Sequence, residues 1–300
     1  MRPAASQFIA REGNMSNSTI RALFLATAFA LAGCGGGGWH VAYSPPPAAP
    51  PPPPPPPPPL IPAATTSQQF VAMGATRPDT GDRSPLFGAA DQLQVRYVES
   101  SNSYEVKIPG SDEWGGIHAS TLNSNYFQGA ATLSIPTINT QYSSLFSWND
   151  GATYSGFEAI GIATLAGAVP VTGSASYTGQ LWGSTSETHS DSEVTIMGGV
   201  ELSFDFGLGS LSGRISPSVF NYADYDDYTL APISLRETIY SSGSTTFSGK
   251  FDTDLAGVNF FNGRFTGPHA EELIGDFALP YRSPIDGQPY QADGAFVAGK

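Results

Sequence analysis

Phe261-Asn262-Gly263-Arg264-Phe265-Thr266-Gly267-Pro268-His269-Ala270-Glu271-Glu272-Leu273-Ile274-Gly275-Asp276-Phe277-Ala278-Leu279 holds two alternating runs with a turn between them. Side chains alternate across an extended chain, so Phe261, Gly263, Phe265 and Gly267 share one face. Leu273, Gly275, Phe277 and Leu279 do so again. Gly267-Pro268 ends the first run, because proline has no N–H to give to a strand ladder. Residues 268–272 make the connection, and the next strand starts near Leu273. Glycines weaken a flat sheet but permit the tight coiling of a small barrel. Adjacent carboxylates in such a turn serve as caps or as solvated charge, so Glu271 and Glu272 read as structural rather than catalytic.

The same pattern extends outward from this stretch. Ala175, Tyr177, Gly179 and Leu181 share a face opposite Ser174, Ser176, Thr178 and Gln180. Val200, Leu202, Phe204, Phe206 and Leu208 lie opposite Glu201, Ser203 and Asp205. Nearer the N-terminus, Gln92–Val98 and Tyr104–Pro109 alternate around the turn residues Glu99-Ser100-Ser101-Asn102-Ser103, which predicts a hairpin. Beyond residue 70 no helical period of useful length is found. With 34 Gly, 26 Pro, 12% aromatic and 13% charged residues, the composition suits short strands joined by many turns. The reading is all-β: an up-and-down antiparallel barrel or a sandwich, soluble rather than membrane-spanning.

The N-terminal part reads differently. Ala22–Ala32 is an uncharged apolar run behind Arg21, too short to cross a bilayer and typical of a signal segment. Leu31-Ala32-Gly33-Cys34 follows at once, and Cys34 is the only cysteine. This resembles the lipobox of bacterial lipoproteins, which implies cleavage before Cys34 and acylation of its thiol. Met15 gives the signal segment a more ordinary leader than Met1. Cleavage leaves 10 basic and 25 acidic residues. Such a balance excludes a nucleic-acid partner and electrostatic docking on anionic lipid. The membrane is instead reached through the lipid anchor. Gly35, where an Asp would favour inner-membrane retention in enterobacteria-like sorting, points to the outer membrane. Gly35–Gly38 is flexible, and the proline run 50–59 is a stiff spacer of roughly 30 Å in polyproline II.

The long motif from Phe261 to Phe277 resembles the terminal-barrel signature of transferrin-binding protein B-like lipoproteins. Gly173–Gly179, Asp205-Phe206 with Leu211-Ser212-Gly213, and the closing Gly294–Lys300 support it by their order. Ile274 stands where that family has a glycine, a departure expected to touch only local turn geometry. The resemblance implies a β-rich handle followed by an eight-stranded antiparallel barrel. The expected division is 1–33 signal peptide, 34–69 lipidated Cys34 and tether, 70–150 handle, and 151–300 barrel. It also implies an outer-membrane, surface-exposed lipoprotein that binds a ligand without catalysis. Haem, an iron-bearing protein or a small ligand is the expected cargo, and a TonB-dependent receptor a further partner. The rival is a structural or adhesive envelope lipoprotein with no soluble ligand.

No G-x-S-x-G, H-E-x-x-H or P-loop is present. Asp252, Asp254 and Gly257 look like part of a calcium loop, but Ala256 stands at a ligand position and no closing Glu follows. His40 lies in the tether, and His118, His189 and His269 read as surface or turn residues. No resident cofactor or metal is expected. The unusual stretch is Asn221-Tyr222-Ala223-Asp224-Tyr225-Asp226-Asp227-Tyr228. Tyrosine offers contact area at low entropic cost and is a known haem-iron ligand. Tyr222, Tyr225 and Tyr228 are therefore the candidate ligand-binding residues, set against a solvated acidic loop. Trp114 with His118 is the second candidate.

Overall fold

The computed structural model describes residues 59–80, 84–121, 123, 125–190 and 192–300. Cys34, His40 and the tether as far as residue 58 lie outside the described residues. Two nine-stranded antiparallel sheets account for the architecture. The only helical piece among the described residues is a 3₁₀ turn, Glu99–Ser101. None of their helices is long and apolar enough to cross a membrane.

The first sheet contains β1 (Gln68–Gln69), β2 (Val71–Pro78), β3 (Gln94–Val98), β4 (Ser103–Lys107) and β5 (Gly115–Ala119). It continues with β6 (Tyr126–Gly129), β7 (Thr132–Ser134), β8 (Ser143–Asn149) and β9 (Tyr154–Gly161). Its order is β1-β3-β4-β5-β6-β7-β8-β9-β2. Phe70 alone separates β1 from β2, and its N–H donates to the Val95 carbonyl at 3.0 Å. The run 68–78 thus pairs with one end of the sheet and then with the other, curling the sheet on itself. The predicted hairpin is β3–β4, with Arg96 opposite Glu105. Its turn is closed by Asn102 at φ 47°, a conformation asparagine tolerates better than most residues. β9 pairs back along β2, so this sheet runs to Gly161, past the division expected near residue 150.

The second sheet is the barrel. Its strands are β10 (Ser174–His189), β11 (Ser192–Asp205), β12 (Ser210–Asn221), β13 (Asp226–Thr229) and β14 (Ile233–Ile239). β15 (Thr246–Phe251), β16 (Phe260–Thr266), β17 (Glu272–Arg282) and β18 (Pro289–Gly299) complete it. β11 pairs with β10 on one side and β12 on the other, which closes a ring of eight strands. β13 hangs on β12 as an extension. The expected eight-stranded barrel with a β-rich companion is therefore present.

The barrel interior is filled. Phe204 meets Tyr177, Tyr240, Phe247 and Phe265 with ring centroids 4.9–5.6 Å apart. Interior glycines face rings on the next strand: Phe247 opposite Gly263, Gly249 opposite Phe261, Gly275 opposite Phe296. A Cβ on Gly263 would stand 2.2 Å from the Phe247 ring. Here the glycines make room for aromatic neighbours, so the small barrel is packed rather than hollow.

Two expectations are corrected. Leu208 is not on the core face of β11: that strand ends at Asp205, and Leu208 sits 82% exposed in the turn that follows. Ile274 is not in a turn either. It lies within β17, fully buried with Leu145, Ala159, Ala295 and Val297 where the barrel meets the first sheet. Ten consecutive residues of β17, Glu272–Tyr281, are buried, because one face lines the barrel interior and the other covers that sheet.

Candidate functional site

The tyrosine stretch forms a hairpin tip. β12 carries it outward, residues 222–225 turn, and β13 returns with Asn221 opposite Asp226. Local side-chain bonds hold the turn, as short polar residues do. The Asn221 Oδ1 accepts from the Ala223 N–H at 3.0 Å, and the Asp224 Oδ1 accepts from the Asp226 N–H at 3.2 Å. The Tyr228 hydroxyl donates to Asp224 Oδ2 at 2.7 Å, which holds that carboxyl below its ordinary range and raises the phenol.

The three tyrosines have different surroundings. Tyr228 packs its ring against the barrel core. Tyr222 is 41% and Tyr225 77% exposed. Both rings lie edge-on to Phe220, at centroid distances of 4.8 and 6.3 Å. Tyr225 adopts φ 61°, a left-handed conformation that is costly for a bulky residue and natural for glycine or asparagine. Partial burial pushes the Tyr222 phenol up, and Glu193 and Tyr126 add to the effect. Tyr126, on β6 of the first sheet, is itself 38% exposed. The exposed aromatic cluster therefore joins Phe220, Tyr222 and Tyr225. Sequence reasoning missed Phe220. Phe220 was detectable as the one aromatic on the face of β12 that otherwise carries Ser212, Arg214, Ser216 and Ser218.

Most of the remaining candidates are tied into structural contacts. Trp114 lies under the Arg96 guanidinium at 4.2 Å, with Lys107 at 5.7 Å, an arrangement favoured by the ring's negative face. His118 is exposed on β5. Asp252 and Asp254 face the Arg236 guanidinium at 3.6 and 4.0 Å. Among the described residues no group of three or more His, Cys, Asp or Glu is placed to hold a metal. His189 corrects its surface reading: its Nε2 lies 2.5 Å from Oε1 of the fully buried Glu187. Glu187 also accepts from the Tyr281 and Ser283 hydroxyls. Glu271 accepts the His269 N–H within its own turn. Glu272 instead accepts the backbone N–H groups of Gln141 and Tyr142 at 2.6 and 3.0 Å, joining the barrel to the first sheet.

Residues 169–300 match the family model described as C-lobe and N-lobe beta barrels of Tf-binding protein B. The resemblance read from the Phe261–Phe277 motif thus holds for the barrel. Among solved structures, a transferrin-binding protein B double mutant from Haemophilus parasuis Hp5 is similar at 16% identity and a TM-score of 0.44. That match covers 76% of this chain and 44% of the other. The isotype 1 protein from serogroup B Neisseria meningitidis gives 15% identity and a TM-score of 0.39, over 76% and 43% of the two chains. HpuA from Kingella denitrificans, solved in complex with human haemoglobin, gives 13% identity and a TM-score of 0.38, over 79% and 88%. The chain thus spans less than half the length of the two transferrin-binding proteins. No curated protein matches it.

Proposed function

Given a barrel that matches the Tf-binding protein B family, we propose that this chain is an outer-membrane, surface-exposed lipoprotein that binds its ligand without catalysis. Cys34 carries the lipid, and the proline run holds the folded part clear of the membrane. The cargo is haem or an iron-bearing protein, and a TonB-dependent receptor takes it onward.

The observation that carries the reading is the hairpin tip with Tyr222 and Tyr225. Anchors in protein interfaces are rigid aromatic side chains that present large area at low entropic cost. Both rings are exposed, both lean on Phe220, and Tyr225 is held in a conformation its own backbone disfavours. A loop that presents such rings from a packed scaffold suits recognition. The filled barrel interior supports binding at this outer surface rather than inside.

The test is direct titration of the purified protein with haem, haemoglobin and iron-loaded transferrin, beside peptidoglycan and lipopolysaccharide. Saturable binding of at least one of the first three is expected. Binding of envelope polymers alone would replace this reading with the structural one.

A further inference from the structure

A cavity of about 440 Å³ opens on the outer wall of the barrel, where β14–β17 face β2 and the segment that follows it. The volume lies within the range of small-molecule sites, roughly 300–1,000 Å³. Met73, Phe87 and Ile239 supply its apolar wall, and Phe87 is fixed by an edge contact with Phe260 at 5.0 Å. Asn262, Arg264 and Asp276 supply polar groups from the outward face of β16 and β17.

Arg264 is the unusual member. Arg77, Arg96, Arg214, Arg236 and Lys250 each face a carboxylate. Lys107 lies over the Trp114 ring, and Arg282 and Lys300 donate to the Gly287 and His269 carbonyls. Among the described residues Arg264 faces no carboxylate within ion-pair reach, and its buried Nε, like that of Arg236, has no hydrogen-bond partner. Acidic residues outnumber basic ones two to one in this chain, 26 to 13, so an unclaimed guanidinium is not for want of carboxylates. Asp276, diagonal to it across β16 and β17, is bonded instead to Asn262 Nδ2 at 2.9 Å. A guanidinium is shaped to receive a planar carboxylate. One available cation suits a single negative charge. The Asp276 carboxyl in the same cavity repels a phosphate dianion more than a monoanion.

We propose that this cavity binds a small organic carboxylate with an apolar body. The carboxylate pairs with Arg264, and the body lies against Met73, Phe87 and Ile239. This site is separate from the hairpin tip, and its occupancy does not depend on what that tip binds.

The experiment titrates the purified full chain, in a non-ionic detergent, with phenylacetate, phenylacetamide and inorganic phosphate by calorimetry. Saturable binding of phenylacetate is expected, with none of the neutral amide. Arg264→Gln should weaken phenylacetate binding roughly tenfold or more, and Arg264→Lys should weaken it less. If Arg264→Gln melts early, Ile239→Asp serves in its place. Ile239 is 67% exposed at the rim, so the substitution adds a repelling charge without disturbing the core. No saturable binding of phenylacetate by the wild type, equal binding of the amide, preference for phosphate, or unchanged affinity in the variants would each overturn the proposal.

Discussion

Gly275 shows what a single residue decides in this barrel. A Cβ there would stand 2.1 Å from the Phe296 ring and 2.3 Å from the Asn262 carbonyl oxygen, and the second contact is backbone that cannot swing away. Gly275→Ala should therefore cost about 1–3 kcal/mol, read as a lowered thermal midpoint. An unchanged midpoint would mean that the rings, not the glycines, set the packing. The alternation of glycine with aromatics was legible in the sequence. Its purpose was not, because the ring that each glycine receives belongs to a neighbouring strand. Glu158 was not legible at all. Its Oε1 accepts from Thr76, Leu93 N–H and Trp148 at 2.9–3.0 Å, while its buried Oε2 has no partner. Burial pushes this carboxyl from its ordinary 4.5 up to about 8. Between those values the folded protein holds a proton that the unfolded chain releases. The associated stability is complete below about pH 4.5 and is lost as pH rises through 8. Asp276, raised by burial to about 6, acts in the same direction over a lower window. Thermal melting from pH 5 to 9 should show the wild type losing stability, and Glu158→Gln removing a share of that loss of order a few kcal/mol. Parallel curves would contradict a protonated Glu158.

At the scale of elements, β17 and β18 carry the junction between the two sheets. Arg77 of β2 forms an ion pair with Asp293 of β18, and Asp293 is only 1% exposed. Burial pushes that carboxyl up, and Arg77 opposes the shift. Removing one partner strands a buried charge, which typically costs about 3–5 kcal/mol. Arg77→Met should therefore be strongly destabilising in urea unfolding, and Arg77→Met with Asp293→Leu should recover much of the loss. A double variant as unstable as the single would show that the pair contributes by packing alone. Strand positions were legible here because alternation reports one buried face. The second buried face of β17 was not, since Ile274, Asp276 and Ala278 sit where a free barrel would show solvent-facing residues. Leu208 misled for the opposite reason: its spacing continued the β11 pattern after the strand itself had turned.

Across the whole molecule, the barrel was readable because its motif joins two strands and the turn between them in one stretch of sequence. The proposed binding surface was half readable. Tyr222 and Tyr225 stand out in the sequence by their acidic context, and the Tyr228 ring packs partly against the barrel core. Phe220 joined them through the ring contacts made at the end of β12. What this arrangement is for is decided on cells. Cells displaying the wild-type chain would be exposed to labelled haem, haemoglobin and iron-loaded transferrin. The account predicts saturable capture of at least one. Cys34→Ser cells should lose that capture, and Tyr222→Ala with Tyr225→Ala should weaken it about thirtyfold, as loss of a 2 kcal/mol anchor does. Wild-type cells that capture none of the three, or a tyrosine variant that captures as well as the wild type, would contradict it.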